Sequence, residues 1–254
     1  MSIRTAVADG IATIEMARPE KKNALTGAMY IAMAEALASA DADPAVRAVL
    51  LTGQPGAFTA GNDLEDFRHR PPEEGTESPV QRFIKALSGF SKPVVAAVDG
   101  VAVGIGTTLL LHCDLVVVTE GARLQMPFVR LGLVPEFASS LLVPLRVGHA
   151  KAAELLLLGE PIDGRTAVDL GIANAVVPAG ELLAHARRMA ERLRTLPPGA
   201  VRETKALMRR GGRTLVDDTI AAESVAFARR LRTPEAAEAF DAFLAKRAPD
   251  FSKF

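Results

Sequence analysis

Two short apolar runs, one on each side of a glycine turn and a helix-like stretch, constrain this chain more than any other feature. Val94–Val98 and residues 115–118 carry no charge, are rich in β-branched side chains, and are bounded by Pro93, Gly100 and Asp114. Uninterrupted apolar runs of this length read as strands covered on both faces, as in parallel sheets. Residues 104–111 between them read as a helix. The unit is then strand, turn, helix, strand, which implies a right-handed parallel crossover.

The flanking sequence fits an α/β chain. Residues 6–8 and 11–14 flank Asp9-Gly10, a pair that tolerates the positive φ angles of a tight hairpin turn. Residues 26–40 read as a helix capped by Thr26, with Met29, Met33, Ala36 and Leu37 at helical spacing, and a strand follows at 47–51. Beyond about residue 136 strand signals thin out. Helical spacing runs through 137–145, 149–158, 181–196, 200–208, 214–231 and 235–246, broken at Pro197-Pro198, Gly211-Gly212 and Thr233-Pro234. No internal repeat or long linker divides the chain. The polar, proline-rich residues 70–79 read as a surface loop.

Composition excludes several classes of function. With 254 residues, 49% of them hydrophobic and 24% charged, the chain has enough apolar content for a substantial core, so disordered and fibrous classes drop out. Thirty basic residues balance thirty acidic ones, which argues against nucleic acid or an anionic membrane surface as partner. The leucine runs at 109–111 and 155–158 fall far short of the ~20 residues of a bilayer span. The lone cysteine, Cys113, closes no internal disulfide and the first residues lack the apolar run of a secretory signal, so the expected location is cytoplasmic.

Familiar catalytic signatures fail. Gly104-Ile105-Gly106 invites a dinucleotide site, but Leu109 stands where that fingerprint needs its third glycine. There is no phosphate-binding Gly-Lys-Ser/Thr loop, no Gly-x-Ser-x-Gly elbow and no His-Glu-x-x-His. His69, His112, His149 and His185 lack metal-ligand spacing, so no metal site is expected. Two glycine turns survive, residues 57–64 and 99–108. Each places backbone N–H groups near a strand end or helix start, and two such donors converging on one oxygen would form an oxyanion hole. On spacing alone, the structural reading of two glycine turns is the stronger one.

Ordered blocks along the chain carry a resemblance. Pro19-Glu20-Lys21-Lys22-Asn23-Ala24-Leu25, Phe58-Thr59-Ala60-Gly61-Asn62-Asp63-Leu64, Lys92-Pro93-Val94-Val95-Ala96-Ala97-Val98-Asp99-Gly100, Cys113-Asp114-Leu115 and Leu131-Gly132-Leu133-Val134-Pro135 occur in the order of the crotonase (enoyl-CoA hydratase/isomerase) superfamily, which the chain resembles over nearly its full length. The resemblance implies a spiral of ββα turns over residues 1–195, and a C-terminal helical region at 196–254 that packs across subunits in a homotrimer or dimer of trimers. It also implies an acyl-CoA thioester substrate, with no cofactor beyond the coenzyme A that the substrate carries. Phe240, Phe243 and Phe251 supply apolar surface consistent with assembly.

By the same resemblance the thioester oxygen sits between the amides of Asn62 and Ile105. Lys22, Ala24, Ala60, Gly61, Asp63, Leu64, Gly104, Gly106, Pro127, Phe128 and Leu131 are the expected substrate-binding positions. Glu65, Asp66 and His69 are further polar residues close after the first turn. Family hydratases carry two glutamates at places occupied here by Thr108 and Phe128, neither of which is a carboxylate. Glu136 is similar in position to the single glutamate of the Δ3,Δ2-enoyl-CoA isomerase branch, so isomerisation is the expected activity. A 2-enoyl-CoA hydratase and a noncatalytic acyl-CoA-binding homologue are the alternatives. Read without the resemblance, Glu136 is an acid in the first turn of a helix that Pro144 stops. An apolar wall of Phe128, Leu133, Val134 and Phe137 would raise its pKa and a helix start would lower it; the sequence leaves that balance open.

Overall fold

The computed structural model of the chain describes residues 2–69 and 77–254, without the side chains of residues 67–69. Most of the polar loop expected at 70–79 lies outside the described residues. The chain opens with β1 (Ile3–Ala8) and β2 (Ile11–Met16), antiparallel about the expected turn, where Asp9 and Gly10 both hold positive φ, 52° and 71°. Next comes α1 (Gly27–Ala42), whose Thr26 cap accepts a hydrogen bond from Met29 N at 3.4 Å.

From there the chain winds in coils, each contributing one strand to a large sheet and the next to a small one. β3 (Ala48–Thr52) is followed by β4 (Ala57–Thr59), then by α2 (Leu64–His69) and α3 (Pro79–Ser88). The second coil is β5 (Val94–Val98), β6 (Val101–Val103) and α4 (Ile105–Thr108). The third is β7 (Leu115–Thr119) and β8 (Arg123–Gln125), then α5 (Ser139–Val147) and α6 (His149–Ala153). Two short strands follow, β9 (Ile162–Asp163) and β10 (Ala175–Val177), with α7 (Gly164–Asp169) between them. The large sheet runs β1-β2-β3-β5-β7-β10, parallel beyond the hairpin, and the small sheet runs β4-β6-β8-β9.

Every residue of β3 and β5 is buried, as the unbroken apolar runs require of a sheet covered on both faces. Val49, Leu51, Val94, Ala96 and Val98 point towards α1 and α3, while Ala48, Leu50, Val95 and Ala97 point towards α8 (Leu182–Thr195). Truncating Leu50 to alanine would cost about 2–5 kcal/mol in such a core. The chain ends with α9 (Pro198–Arg210), α10 (Arg213–Leu231) and α11 (Pro234–Leu244). α9 is tied to the core by the buried Lys205, which donates to Asp114 at 2.7 Å and to Lys92 O at 2.5 Å.

The structure corrects the sequence reading in three places. The second half contributes β9 and β10, strands of two and three residues that are too short to show a period. The expected helix at 104–111 is one turn of α-helix that tightens into a 3-10 turn over Leu109–His112. Pro144 does not stop a helix but lies inside α5; the carbonyl it deprives of a donor is that of Ser140, an exposed residue in the first turn.

Candidate active site

The site is built where two adjacent strands of the small sheet end. β4 and β6 are parallel neighbours, and parallel strands lie about 4.8 Å apart, so the turns that follow them emerge side by side. The contact is so close that a Cβ on Gly61 would stand 2.7 Å from Val103 O, and its φ of +87° is itself foreign to other residues.

Around Asn62 the main chain is largely committed. Leu25 bridges this turn, donating its N–H to Gly61 O at 2.8 Å and accepting from Asp63 N at 2.9 Å, while Gly61 N donates to Thr59 Oγ1. A parallel bridge of this kind turns the N–H of the middle residue, Asn62, to the other side. At the second turn Gly104 N donates to Gln125 O, and Gly104 O accepts from Thr107 and Thr108. Ile105 N, first in α4, has no carbonyl to reach within its helix. Among the described residues neither Asn62 N nor Ile105 N meets an acceptor.

Both residues line a cavity of about 710 Å³. Of the expected binding positions, Lys22, Ala24, Ala60, Gly61, Asp63, Leu64, Gly104, Pro127, Phe128 and Leu131 line it, together with Asn62, Ile105 and Glu136. Gly106 does not. It is a packing glycine, because a Cβ there would sit 2.6 Å from the Thr59 side chain. Val134 and Phe137 are also absent from the wall that Phe128 and Leu133 form.

The polar residues near the first turn separate by role. Asp63 receives Arg18 at 2.6 Å and the amides of Glu65 and Asp66 at 3.1 Å; burial opposes its charge, but these donors prevail and hold its carboxyl below the usual range. Asp66 accepts from Gly27 N at 2.8 Å and so joins α2 to α1. Glu65 stands at the cavity edge, 3.4 Å from Lys21. The side chain of His69 lies outside the described residues.

Glu136 differs from all of these. It is 7% exposed, and its Oε1 is buried with no hydrogen-bond partner. The open balance is decided by desolvation: burial first, then the negative charge of Glu223, pushes its carboxyl up to about 8. No helix start offsets this, because α5 begins only at Ser139. Between them Phe137 and Ala138 both hold left-handed backbone, φ 63° and 54°.

Several residues around the site were not expected there from the sequence. Tyr30, fully buried on α1, donates its hydroxyl to Asn62 Oδ1 at 2.5 Å. Burial, then the charge of Glu136, holds this phenol well above its ordinary pKa, so it stays a donor. Helical periodicity marks Tyr30 only as buried, and pairing with Asn62 leaves no local signal. His112 stacks on the Phe137 ring at 3.9 Å and donates Nε2–H to Phe137 O at 2.8 Å; burial pushes its pKa down to about 3, so it is neutral. Phe227 from α10 and Phe240 and Phe243 from α11 close the far wall. Phe240 and Phe243, which the sequence allowed either for assembly or for internal packing, line the cavity, and Phe243 remains largely exposed.

Stacked coils of two strands and a helix, with a cavity where consecutive coils end, define a crotonase-type α/β fold. The profile of the family "Enoyl-CoA hydratase/isomerase" matches residues 6–253. A solved structure of OdaA from Pseudomonas aeruginosa is 54% identical and superposes with a TM-score of 0.93, over 96% of this chain and 98% of that one. A 1,2-epoxyphenylacetyl-CoA isomerase of Escherichia coli is 33% identical, over 97% of this chain and 96% of its own length. A 2,3-dehydroadipyl-CoA hydratase of the same organism is 30% identical over 92% of each. The chain belongs to the enoyl-CoA hydratase/isomerase family and is an enzyme of that family. No helix among the described residues is long and apolar enough to cross a membrane.

Proposed function

We propose that the protein moves the double bond of a 3-enoyl-CoA to the 2-position, with Glu136 carrying the proton. The observation that supports this most is a buried carboxyl with one oxygen unpaired, in the wall of a cavity whose other turns offer two unengaged amides. Asp63, the other buried carboxylate of that wall, is already engaged by Arg18.

In this reading the thioester oxygen accepts from Asn62 N and Ile105 N. The Glu136 carboxylate removes a proton from C2, and the electron pair of that C–H bond delocalises through the carbonyl onto oxygen. The resulting dienolate takes the same proton back at C4. The C2–C3 double bond forms, the C3–C4 double bond becomes single, and nothing is added or lost. One base near pKa 8 suits both halves, since it must accept the proton and then release it. No second group is needed to hold a water. Thr108 and Phe128, both buried, offer no carboxylate for that purpose.

The same reading gives Lys22, Ala24, Ala60, Gly61, Asp63, Leu64, Gly104, Pro127, Phe128 and Leu131 to the coenzyme A and acyl portions, and needs no cofactor beyond the substrate. It also gives the exposed apolar residues Leu207, Met208, Leu215 and Val225 of α9 and α10 to contacts within a homotrimer or dimer of trimers, which light scattering on the purified protein would test.

Supplying a 3-enoyl-CoA and a 2-enoyl-CoA separately tests the activity. Expected are rapid conversion of the first to the 2-enoyl isomer and slow water addition to the second, with Glu136→Gln lowering kcat for isomerisation by about 10²–10⁴-fold. Fast hydration without bond migration would establish a hydratase instead. Binding of both thioesters with no turnover would establish a noncatalytic homologue.

A further inference from the structure

The loop that carries Glu136 is conformationally costly. Phe137 and Ala138 are consecutive non-glycine residues at positive φ, a combination that persists only when the surroundings over-determine it. One side of the loop is held by His112 through Phe137 O, and Ser139 returns its N–H (3.2 Å) and Oγ (2.7 Å) to Glu136 O. The other side is held from 85 residues away. The carboxylate of Glu223, sent into the core by α10 and 7% exposed, accepts from Ala138 N at 2.6 Å with one oxygen. Its other oxygen accepts from Ser140 N at 2.9 Å and Ser140 Oγ at 2.5 Å. Ala138 is the N-cap position of α5 and has no side chain able to cap it. Glu223 does this work from a distance.

We infer that Glu223 is a positioning residue for the reaction: by holding Ala138 and Ser140 it locks the left-handed Phe137–Ala138 link and fixes where the Glu136 carboxyl stands in the cavity. This rests on the reading of Glu136 as the proton carrier. The charge arrangement is of one piece with it. Burial raises the Glu223 carboxyl above its ordinary range, but three donors on its two oxygens oppose that and favour its charged form, whereas Glu136 Oε1 meets no donor. Of the two buried carboxyls, Glu223 is the one whose charge is met by donors, and that charge adds to burial in favouring protonation of Glu136. The other groups bearing on Glu136 are the Tyr30 phenol on α1 and, behind Phe137, the neutral His112. None carries a positive charge.

The test uses the full-length enzyme with Glu223→Gln, which keeps size but cannot accept from both amides and carries no charge. Expected are a tenfold or greater fall in kcat for 3-enoyl-CoA, affinity for coenzyme A within twofold of the parent, and a kcat–pH midpoint at least half a unit lower. Ser140→Ala, which removes one exposed-side bond and leaves the core intact, is expected to lower kcat two- to fivefold with affinity unchanged. It serves if Glu223→Gln fails to fold. Unchanged kcat in the variant that folds would overturn the inference, as would a loss of kcat matched by an equal loss of coenzyme A affinity. Glu136→Gln run in parallel separates the two ideas. If it keeps full activity, the proton-carrier reading falls. The inference is then decided by the Glu136 carboxyl ¹³C titration, which must shift in Glu223→Gln for the contact to stand.

Discussion

The hydroxyl of Tyr30 donates to the side-chain oxygen of Asn62, so a helix residue 32 positions away anchors a residue that lines the cavity. Phe83 packs against Tyr30 at 5.6 Å and against Phe137 at 6.3 Å, which links this anchor to the loop bearing Glu136. Replacing Tyr30 with phenylalanine should therefore leave Asn62 Oδ1 without its donor. Expected are a stability loss of about 1–3 kcal/mol and a kcat reduced severalfold, read by thermal unfolding and steady-state rates. Parent-like values for both would show that the contact orders nothing.

Glu136 ties stability to pH in a direction opposite to that of most carboxylates. Its folded-state pKa of about 8 lies above its ordinary value of 4.5, so below pH 4.5 both states are protonated and the group costs nothing. Between those values the unfolded chain releases the proton and the native one keeps it, and stability falls as pH rises until the folded carboxyl ionises near pH 8. Glu136→Gln should match the parent in melting temperature at pH 4. At pH 8.5 it should exceed the parent, by an amount on the order of a few kcal/mol. Equal melting curves across that range would contradict the burial described.

Activity should follow the same group. For a base that must start ionised, kcat/KM for isomerisation is expected to rise with pH, to be half-maximal near pH 8 and to level off about one unit higher. A profile already flat from pH 5 upwards would place the proton elsewhere.

Gly61→Ala places a methyl group 2.7 Å from Val103 O at a φ of +87°. The backbone must give way on one of the two turns, which moves Asn62 relative to Ile105. Loss of both stability and turnover is expected, by about 2 kcal/mol or more in an unfolding titration. The adjacent Asp63→Asn should act differently. The native carboxylate titrates low, so its contribution is present above its ordinary pKa and fades as pH falls. The variant should be less stable by about 1–2 kcal/mol at pH 7, and the gap should close towards pH 2.

The parts of this molecule readable in its sequence are those governed by local chemistry. The Asp9-Gly10 turn, the Thr26 cap and the buried runs of β3, β5 and β7 each satisfy a rule within a few residues. Lys22, Gly61, Asn62, Ile105, Phe128 and Glu136 were also placed by the resemblance, and the structure brings them around one cavity. The remainder depends on distant partners. Tyr30 matters through Asn62, and Glu223 through Ala138 and Ser140, 85 and 83 positions earlier. Gly106 was expected among the substrate-binding positions by the resemblance, yet it serves contact with Thr59. The pKa of Glu136 likewise had no local answer, since the helix that might have lowered it begins three residues later.

The spacing of β4 and β6 has a lasting consequence for how such a protein tolerates change. Main-chain N–H groups at consecutive coil ends persist through any substitution that spares the ladder, so what constrains the identity of Asn62 is the bond its side chain accepts from Tyr30, not its own amide. The Glu136 carboxyl has no such insurance, because it exists only as a side chain. On the proposed function, descendants of this scaffold would therefore diversify in what they do to a bound thioester long before they lost the grip on it.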